Sequence, residues 1–433
     1  MGKKIVILSV IGIIITGGIG VNLYADQRLK NYYQMPEKLS QLVDKQQSEF
    51  KMGVLSGDAQ WAYRLRPDPC QPNKEIILKG VDHIQRSWKG YDITSKINLD
   101  IKGKDFQEYK KILGGKDLFT VNSNLNWLGT VNMKIQSPAL EKNEGHDQIV
   151  WQGGDGAVTF RMQDGEYIMT NANVQFPGFV AQDKNSYLKF EGIRFQTDQS
   201  VSGEALRSGQ SEFSLQRMVI RSHKLSSLNI SNIDLDQLSL KTKLDVQDKL
   251  SAIQLRWKLQ QMQVNHQNFN NINFNFDIND MDTLALKEFV KIVNQQPRVC
   301  DSQQQNAQET VLETQMLAIF RHGFSFTSND NNIELGQGKA TLNVRGKFKQ
   351  NQIKNIQDAK SELSQVVEYQ ADMKLDKQFL QNSIRLTNPS SQSLSPQETE
   401  QVMIQIAQKM HGRVRGNQVE VGISYRDGKS MYY

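Results

Sequence analysis

Cysteine is almost missing from this chain: two residues, Cys70 and Cys300, among 433. They are far apart, and the six histidines (His83, His146, His223, His266, His322 and His411) form no His-Glu-x-x-His element. No group therefore has the ligand spacing of a metal site. A Gly-x-Ser-x-Gly nucleophile elbow is also absent. No basic run interleaved with aromatics exists, which argues against a nucleic-acid partner. Long hydrophobic runs are missing with one exception. The hydrophobic fraction is 38% and the mean hydropathy −0.55, values of a water-soluble body with a single apolar segment. No cofactor is expected.

The exception stands at the N-terminus. Lys3 and Lys4 precede an apolar stretch, residues 5–25, broken only by small or weakly polar residues. At about 1.5 Å per residue it reaches about 30 Å, the thickness of a bilayer core. Secretory signals use about 7–15 apolar residues and end in a small-x-small site. The best such site here, Leu23-Tyr24-Ala25, has a poorly fitting leucine. The stretch reads as an uncleaved transmembrane signal anchor; a cleaved signal and a buried core helix are the alternatives. Arg28, Lys30 and Lys38 follow it, so a plain count of cations does not orient it. The short two-lysine stub favours an N-inside arrangement with the bulk exported. Gly12, Thr16 and Gly20 share one helix face, a small-xxx-small pattern through which two anchors can associate as a homo-oligomer.

Net charge is +6, with 52 basic and 46 acidic residues interspersed. This is a mildly basic solvated surface that favours anionic surfaces such as lipid headgroups. Cys70 lies in Pro67-Asp68-Pro69-Cys70-Gln71-Pro72 and Cys300 in Pro297-Arg298-Val299-Cys300-Asp301. In an oxidising compartment, a lone pair of loop cysteines favours a disulfide.

Past the anchor, period-two alternation dominates, the mark of strands with one buried and one solvated face. Its clearest run is Phe119, Val121, Leu125, Trp127, Val131, Met133 and Ile135, either one long strand or two broken at 126–129 without loss of phase. Similar runs include Ile253/Leu255/Trp257/Leu259 and Ile272/Phe274/Phe276/Ile278. Asp164-Gly165 and Asp427-Gly428 signal hairpin turns. Helices are expected at 36–48, 105–113, 283–293, 311–320, 353–366, 376–384 and 395–410, the last opened by the capping box Ser395-Pro396-Gln397-Glu398. The fold class is mostly β with inserted helices (α+β): large antiparallel, curved sheets after one transmembrane helix. The expected organisation is a cytoplasmic stub (1–4), the anchor (5–25), a membrane-proximal helix and linker (26–49), a β-rich region (50–295), a polar linker (296–310) and an α+β region (311–433).

Three stretches resemble chemistry without supplying it. Gly336-Gln337-Gly338-Lys339-Ala340-Thr341 lacks the spacing of a phosphate loop and reads as a turn before a strand. Gly153-Gly154-Asp155-Gly156 occurs once and reads as a hairpin turn rather than a calcium repeat. Asp82-His83 reads as a turn pair rather than a catalytic dyad. Leu125, Trp127, Phe274 and Phe276 are core by default, but the same inward face can line an apolar groove.

Several stretches resemble the YdgA-like family of bacterial envelope proteins, whose function is unknown. They are Gly53-Val54-Leu55-Ser56, Leu188-Lys189-Phe190-Glu191-Gly192-Ile193 and Phe213-Ser214-Leu215-Gln216-Arg217-Met218-Val219-Ile220. Val264-Asn265-His266-Gln267-Asn268-Phe269 and the closing Gly416-Asn417-Gln418-Val419 are similar to its motifs as well. The resemblance implies one N-terminal inner-membrane anchor and a large periplasmic β-rich region, and carries over no catalytic residue. The expected function is a non-enzymatic, membrane-anchored periplasmic scaffold or binding protein with a lipid or envelope-protein partner. The alternatives are a β-groove that binds or transfers lipid and an envelope enzyme with an unrecognised site.

Overall fold

A computed structural model describes residues 38–40, 43–66, 76–100, 114, 116–126, 128–163, 166–200, 206–222, 231–265, 267–295, 302–353, 358, 362, 364–387 and 395–433. These are mostly antiparallel β-sheet with few helices, as the alternation predicts. Among the described residues no helix is long and apolar enough to cross a membrane; residues 5–25, with Gly12, Thr16 and Gly20, lie outside them.

The described chain divides into two compact units. The first holds β1 (Lys38–Ser40), β2 (Val43–Met52), β3 (Ser56–Leu65), β4 (Ile76–Ser87), β5 (Gly90–Asp100), β6 (Phe119–Asn126), β7 (Thr130–Ser137), β8 (Leu140–Glu144), β9 (Asp147–Trp151), β10 (Gly154–Gln163) and β11 (Glu166–Gln182). Along β12 (Ser186–Gln199), residues 186–191 belong to the second unit and 192–199 to the first. The second unit continues with β13 (Gly209–Ser222), β14 (Asn232–Val246), β15 (Leu250–Val264) and β16 (Gln267–Asp282), then α1 (Thr283–Gln295) and most of α2 (Ser302–His322). It closes with β17 (Phe324–Leu335), β18 (Gly338–Phe348), β19 (Val367–Asp376), α3 (Lys377–Thr387), α4 (Pro396–Lys409), β20 (Arg413–Arg415), β21 (Gln418–Arg426) and β22 (Lys429–Tyr432).

In the first unit, neighbours in the sheet follow the chain from β1 to β7, then β10, β11, β9 and β8, all antiparallel. The run from Phe119 is a hairpin rather than one strand: Leu125 pairs with Val131 and Thr120 with Gln136. An odd-residue offset across the turn keeps odd positions of both strands on one face, so the phase survives. Phe119, Val121, Leu125, Val131, Ile135, Val158 and Phe160 are buried in one core cluster. Each such side chain contributes about 1.5–3 kcal/mol by leaving water. The cavity lined by Ile97, Phe119, Val121, Met133, Ile135, Val158 and Phe160 is about 20 Å3, room for one water-sized sphere. This face is filled by its own side chains. Trp61 pairs with Gly80, where a Cβ would meet the indole at 2.1 Å, and its Nε1 donates to buried Asp82 at 2.9 Å. Only glycine fits beneath that ring.

Several expectations need correction. Residues 36–48 are not helical where described: 38–40 and 43–48 lie in β1 and β2, and β2 joins the ladder of β3 from Val43 to Met52. Ladder bonds along ten residues outweigh the weak helical spacing of Leu39, Leu42 and Val43. The stretch from Gly153 is a bend, not a hairpin turn. Leu140 pairs with Trp151 and Ser137 with Gly154, so β7–β8 and β9–β10 form one long hairpin turning at Gly145-His146. Asp82 and His83 sit within β4 rather than in a turn. The second part of the expected polar linker, 302–310, is the start of α2. Helix 105–113 lies outside the described residues, and of 353–366 only 358, 362 and 364–366 are described as helical.

Other local signals hold. Asp427 and Gly428 both take positive φ, 49° and 74°, in the two-residue turn joining β21 and β22. The capping box of α4 is complete: Ser395 Oγ accepts from the Glu398 N–H, and Glu398 Oε2 accepts from the Ser395 N–H at 2.7 Å.

Candidate functional site

The long strands of the second unit, 14 residues in β13 and 16 in β16, set a problem that strict alternation does not solve. In each, the apolar positions step by three residues instead of two at one shared level: Leu215 to Met218, Leu235 to Leu238, Leu259 to Met262, and Phe269 to Ile272. The steps are aligned across the sheet. On one side Leu215 pairs with Leu238, Leu238 with Leu259 and Leu259 with Ile272; on the other Met218 pairs with Leu235, Leu235 with Met262 and Met262 with Phe269. Between these rows the ladder skips Gln216, Gln237, Gln260 and Asn271. Gln237 and Asn271 take left-handed φ values of 53° and 48°. A left-handed residue within a strand reverses the alternation of side chains, as in a bulge. Here the reversals return Met218, Leu235, Met262 and Phe269 to the face of Leu215, Leu238, Leu259 and Ile272, while buried Val219 lies on the other side.

That face is uncovered in its middle. At one end α1 and α2 pack on it, with Leu286, Val290 and Ile319 against Leu244, Ile253 and Ile278. Elsewhere α3 and α4 cover Met373, Leu375, Val419 and Val421 with Leu380, Met403 and Ala407. Between these covers runs the paired row Phe213, Leu240, Trp257 and Phe274. Leu240 is 36% exposed, Phe274 40% and Leu342 43%. The Phe274 and Phe276 rings stack with centroids 6.3 Å apart, and Phe326 extends the aromatic stretch. A contiguous apolar surface of this kind on a folded chain marks an interaction site.

The opposite face is polar and paired. Arg256 grips Asp277 across β15 and β16, and Lys349, Lys347 and Arg426 converge on Glu368. Hydrogen bonds from Lys349 and Lys347 hold the Glu368 carboxyl at about 2, well below the usual carboxylate range. At the aligned steps this face opens into a concavity of about 380 Å3 lined by Glu191, Gln216, Arg217, Asp236, Gln237, Gln260 and Gln261. Arg217 Nη2 donates to Asp234 Oδ2 at 2.8 Å, which raises the guanidinium pKa further. With its charges paired and its other side chains amides, the concavity offers hydrogen bonds rather than acid–base chemistry.

Of the residues singled out from the sequence, Leu125 is buried in the first unit's core, 2% exposed, while Phe274 and Phe276 lie on the second unit's apolar face. Trp127, Cys70 and Cys300 lie outside the described residues. Asp82 and His83 face opposite sides of β4: Asp82 is buried, and His83 Nδ1 lies 2.9 Å from Asp58 Oδ1 at the surface. The other described histidines do not converge: His146 occupies a hairpin turn, His322 is 3.6 Å from Asp282, and the His411 ring packs against Tyr432. Among the described residues no three His, Cys, Asp or Glu side chains come together to hold a metal ion. The apolar row through Leu240, and β14 as a whole, escaped the sequence reading; the three-residue step was the signal that could have found them.

Comparison with protein families gives one match, a bacterial protein family of unknown function (DUF945), over residues 1–431. The chain belongs to the DUF945 family. Comparison with curated proteins gives no match, and neither does comparison with solved structures. The DUF945 match spans both compact units.

Proposed function

We propose that this DUF945 chain is a non-enzymatic binding protein of the bacterial envelope, held to the inner membrane by residues 5–25 with its β-rich bulk in the periplasm. Its binding surface is the apolar face of the second unit. The aligned phase steps in β13–β16 carry this reading: four strands reverse alternation at one level, and each reversal keeps one face apolar. A face that served only as core would be covered along its length, whereas Leu240, Phe274 and Leu342 stay exposed. The charge pattern of residues 1–25 and the YdgA-like resemblance support the placement. Self-association through Gly12, Thr16 and Gly20, and a Cys70–Cys300 disulfide, belong to the same proposal.

The extended, apolar form of the exposed row favours a lipid acyl chain as the occupant over a compact ligand. The row from Phe213 to Phe274 crosses four strands, about 15 Å at about 4.8 Å per strand, enough to lie along much of a fatty acyl chain. The test is lipid extraction and mass spectrometry of the full chain, purified from bacterial membranes in mild detergent. It is compared with a Leu240→Asp/Phe274→Asp variant. More phospholipid retained by the parent than by the variant supports acyl binding at the face. Equal retention counts against it and leaves an envelope protein as the partner to be sought.

A further inference from the structure

Three successive hairpin turns of the first unit carry large apolar side chains into solvent. They are residues 53–55 between β2 and β3, 88–89 between β4 and β5, and 128–129 leading into β7. Val54 is 83% exposed, Leu55 72%, Trp88 83% and Leu128 91%. The register sets the turns side by side. Met52 pairs with Gly57, Ser56 with Gln85, Ser87 with Gly90 and Gly90 with Asn126. The Arg86 N–H donates to the Leu55 carbonyl at 2.8 Å, joining the first two turns directly. At about 4.8 Å between strands the row is roughly 20 Å long.

The turns themselves carry charge of one sign, and the nearest carboxylates, Asp58 opposite Lys51 and Asp92 opposite Gln85, stand just behind them in the strands. Segments 51–57, 86–90 and 126–130 contain Lys51, Arg86 and Lys89 and no acidic residue. Lys89 Nζ lies 4.8 Å from the Trp88 ring centroid, so cation and aromatic ring project together. Exposed Trp and aliphatic tips flanked by Lys and Arg are the chemistry of a membrane interface: rings and methyl groups enter the acyl boundary while cations meet phosphates. A loop built only to close a hairpin has no need of apolar tips in three neighbouring turns.

We propose that this row of turns docks on an anionic phospholipid bilayer, with Val54, Leu55, Trp88 and Leu128 entering the acyl boundary and Lys51, Arg86 and Lys89 contacting headgroup phosphates. The surface belongs to the first unit and does not depend on ligand binding by the second unit's face. Simple vesicle association does not test it, because residues 5–25 would hold the chain to a bilayer anyway. The test is tryptophan quenching in the full chain, reconstituted into vesicles of equal parts phosphatidylcholine and phosphatidylglycerol with brominated acyl chains. The expected result is a quenched component that disappears in Trp88→Phe. It disappears equally in Val54→Asp/Leu55→Asp/Leu128→Asp, whose circular dichroism and melting temperature match the parent because the replaced side chains are exposed. It falls several-fold when phosphatidylglycerol is left out. Quenching that is the same in the parent and Trp88→Phe, or that survives the triple substitution, overturns the proposal. Absence of the component in these vesicles, which hold no second protein, also overturns it, and points to a protein as the partner of the turns.

Discussion

Replacing Gln237 with glycine should stabilise the second unit, and replacing it with valine should destabilise it. Gln237 sits at the aligned step with φ 53°, and its residue is exposed, so little packing is lost in either variant. The left-handed conformation costs an L-residue about 1–2 kcal/mol relative to its usual backbone. Glycine removes that strain but carries about 0.5–1 kcal/mol more unfolded-state entropy, leaving a net gain of about 0.5–1 kcal/mol. Valine keeps the strain and adds a β-branched clash at positive φ, for a loss of about 1–2 kcal/mol. Urea unfolding read by circular dichroism separates the variants by their midpoints, provided the slope is unchanged. Asn271→Gly is the companion, with a smaller gain because asparagine tolerates this backbone better. Equal midpoints for glycine and valine at residue 237 would refute the left-handed step and with it the phase reversal of β14.

Leu125→Asp places a carboxylate in the filled core of the first unit and should cost more than about 4 kcal/mol, whereas Phe274→Asp, on the half-open face, should cost about 1–2 kcal/mol. Differential scanning calorimetry of the two variants checks the contrast. Ser395→Ala removes one half of the capping box of α4 and should destabilise by about 1 kcal/mol, measured by thermal melting. Glu368, depressed to about 2 by Lys349 and Lys347, contributes stability that is present above its unfolded value of about 4.5 and is lost as pH falls through about 2. Lys349→Met should raise its titration midpoint toward the ordinary carboxylate range, read by carboxyl NMR, and shift acid unfolding to higher pH.

Legibility in the sequence followed how local each determinant is. The Ser395 box, the Asp427-Gly428 turn and the alternation from Phe119 are set by residues a few positions apart, and the fold repeats them. The regular alternation of β15 ends at Leu259 and that of β16 begins at Ile272, the two residues that flank the step. A fixed period of two cannot cross a three-residue step, so the alternation of each strand is legible on one side of the step alone. β14 was missed because Asp234, Asp236 and Gln237 interrupt its apolar pattern, although they mark the reversal and the concavity. The stretch from Lys38 was misread as helical because its partner, β3, is supplied from outside it. The division into two units within β12 has no compositional break to announce it. The row of exposed turns was equally hidden, since Val54, Trp88 and Leu128 meet only through strand register.

The central claim, that the second unit's apolar face is a binding surface, is most directly tested by photocrosslinking in living cells. A photoreactive amino acid is placed at Phe274 on the apolar face and, separately, at Lys258 on the polar face of the neighbouring strand. A crosslinked lipid or protein adduct is expected at residue 274 and none at 258, identified by mass spectrometry. No adduct at 274, or equal adducts at both positions, would contradict it.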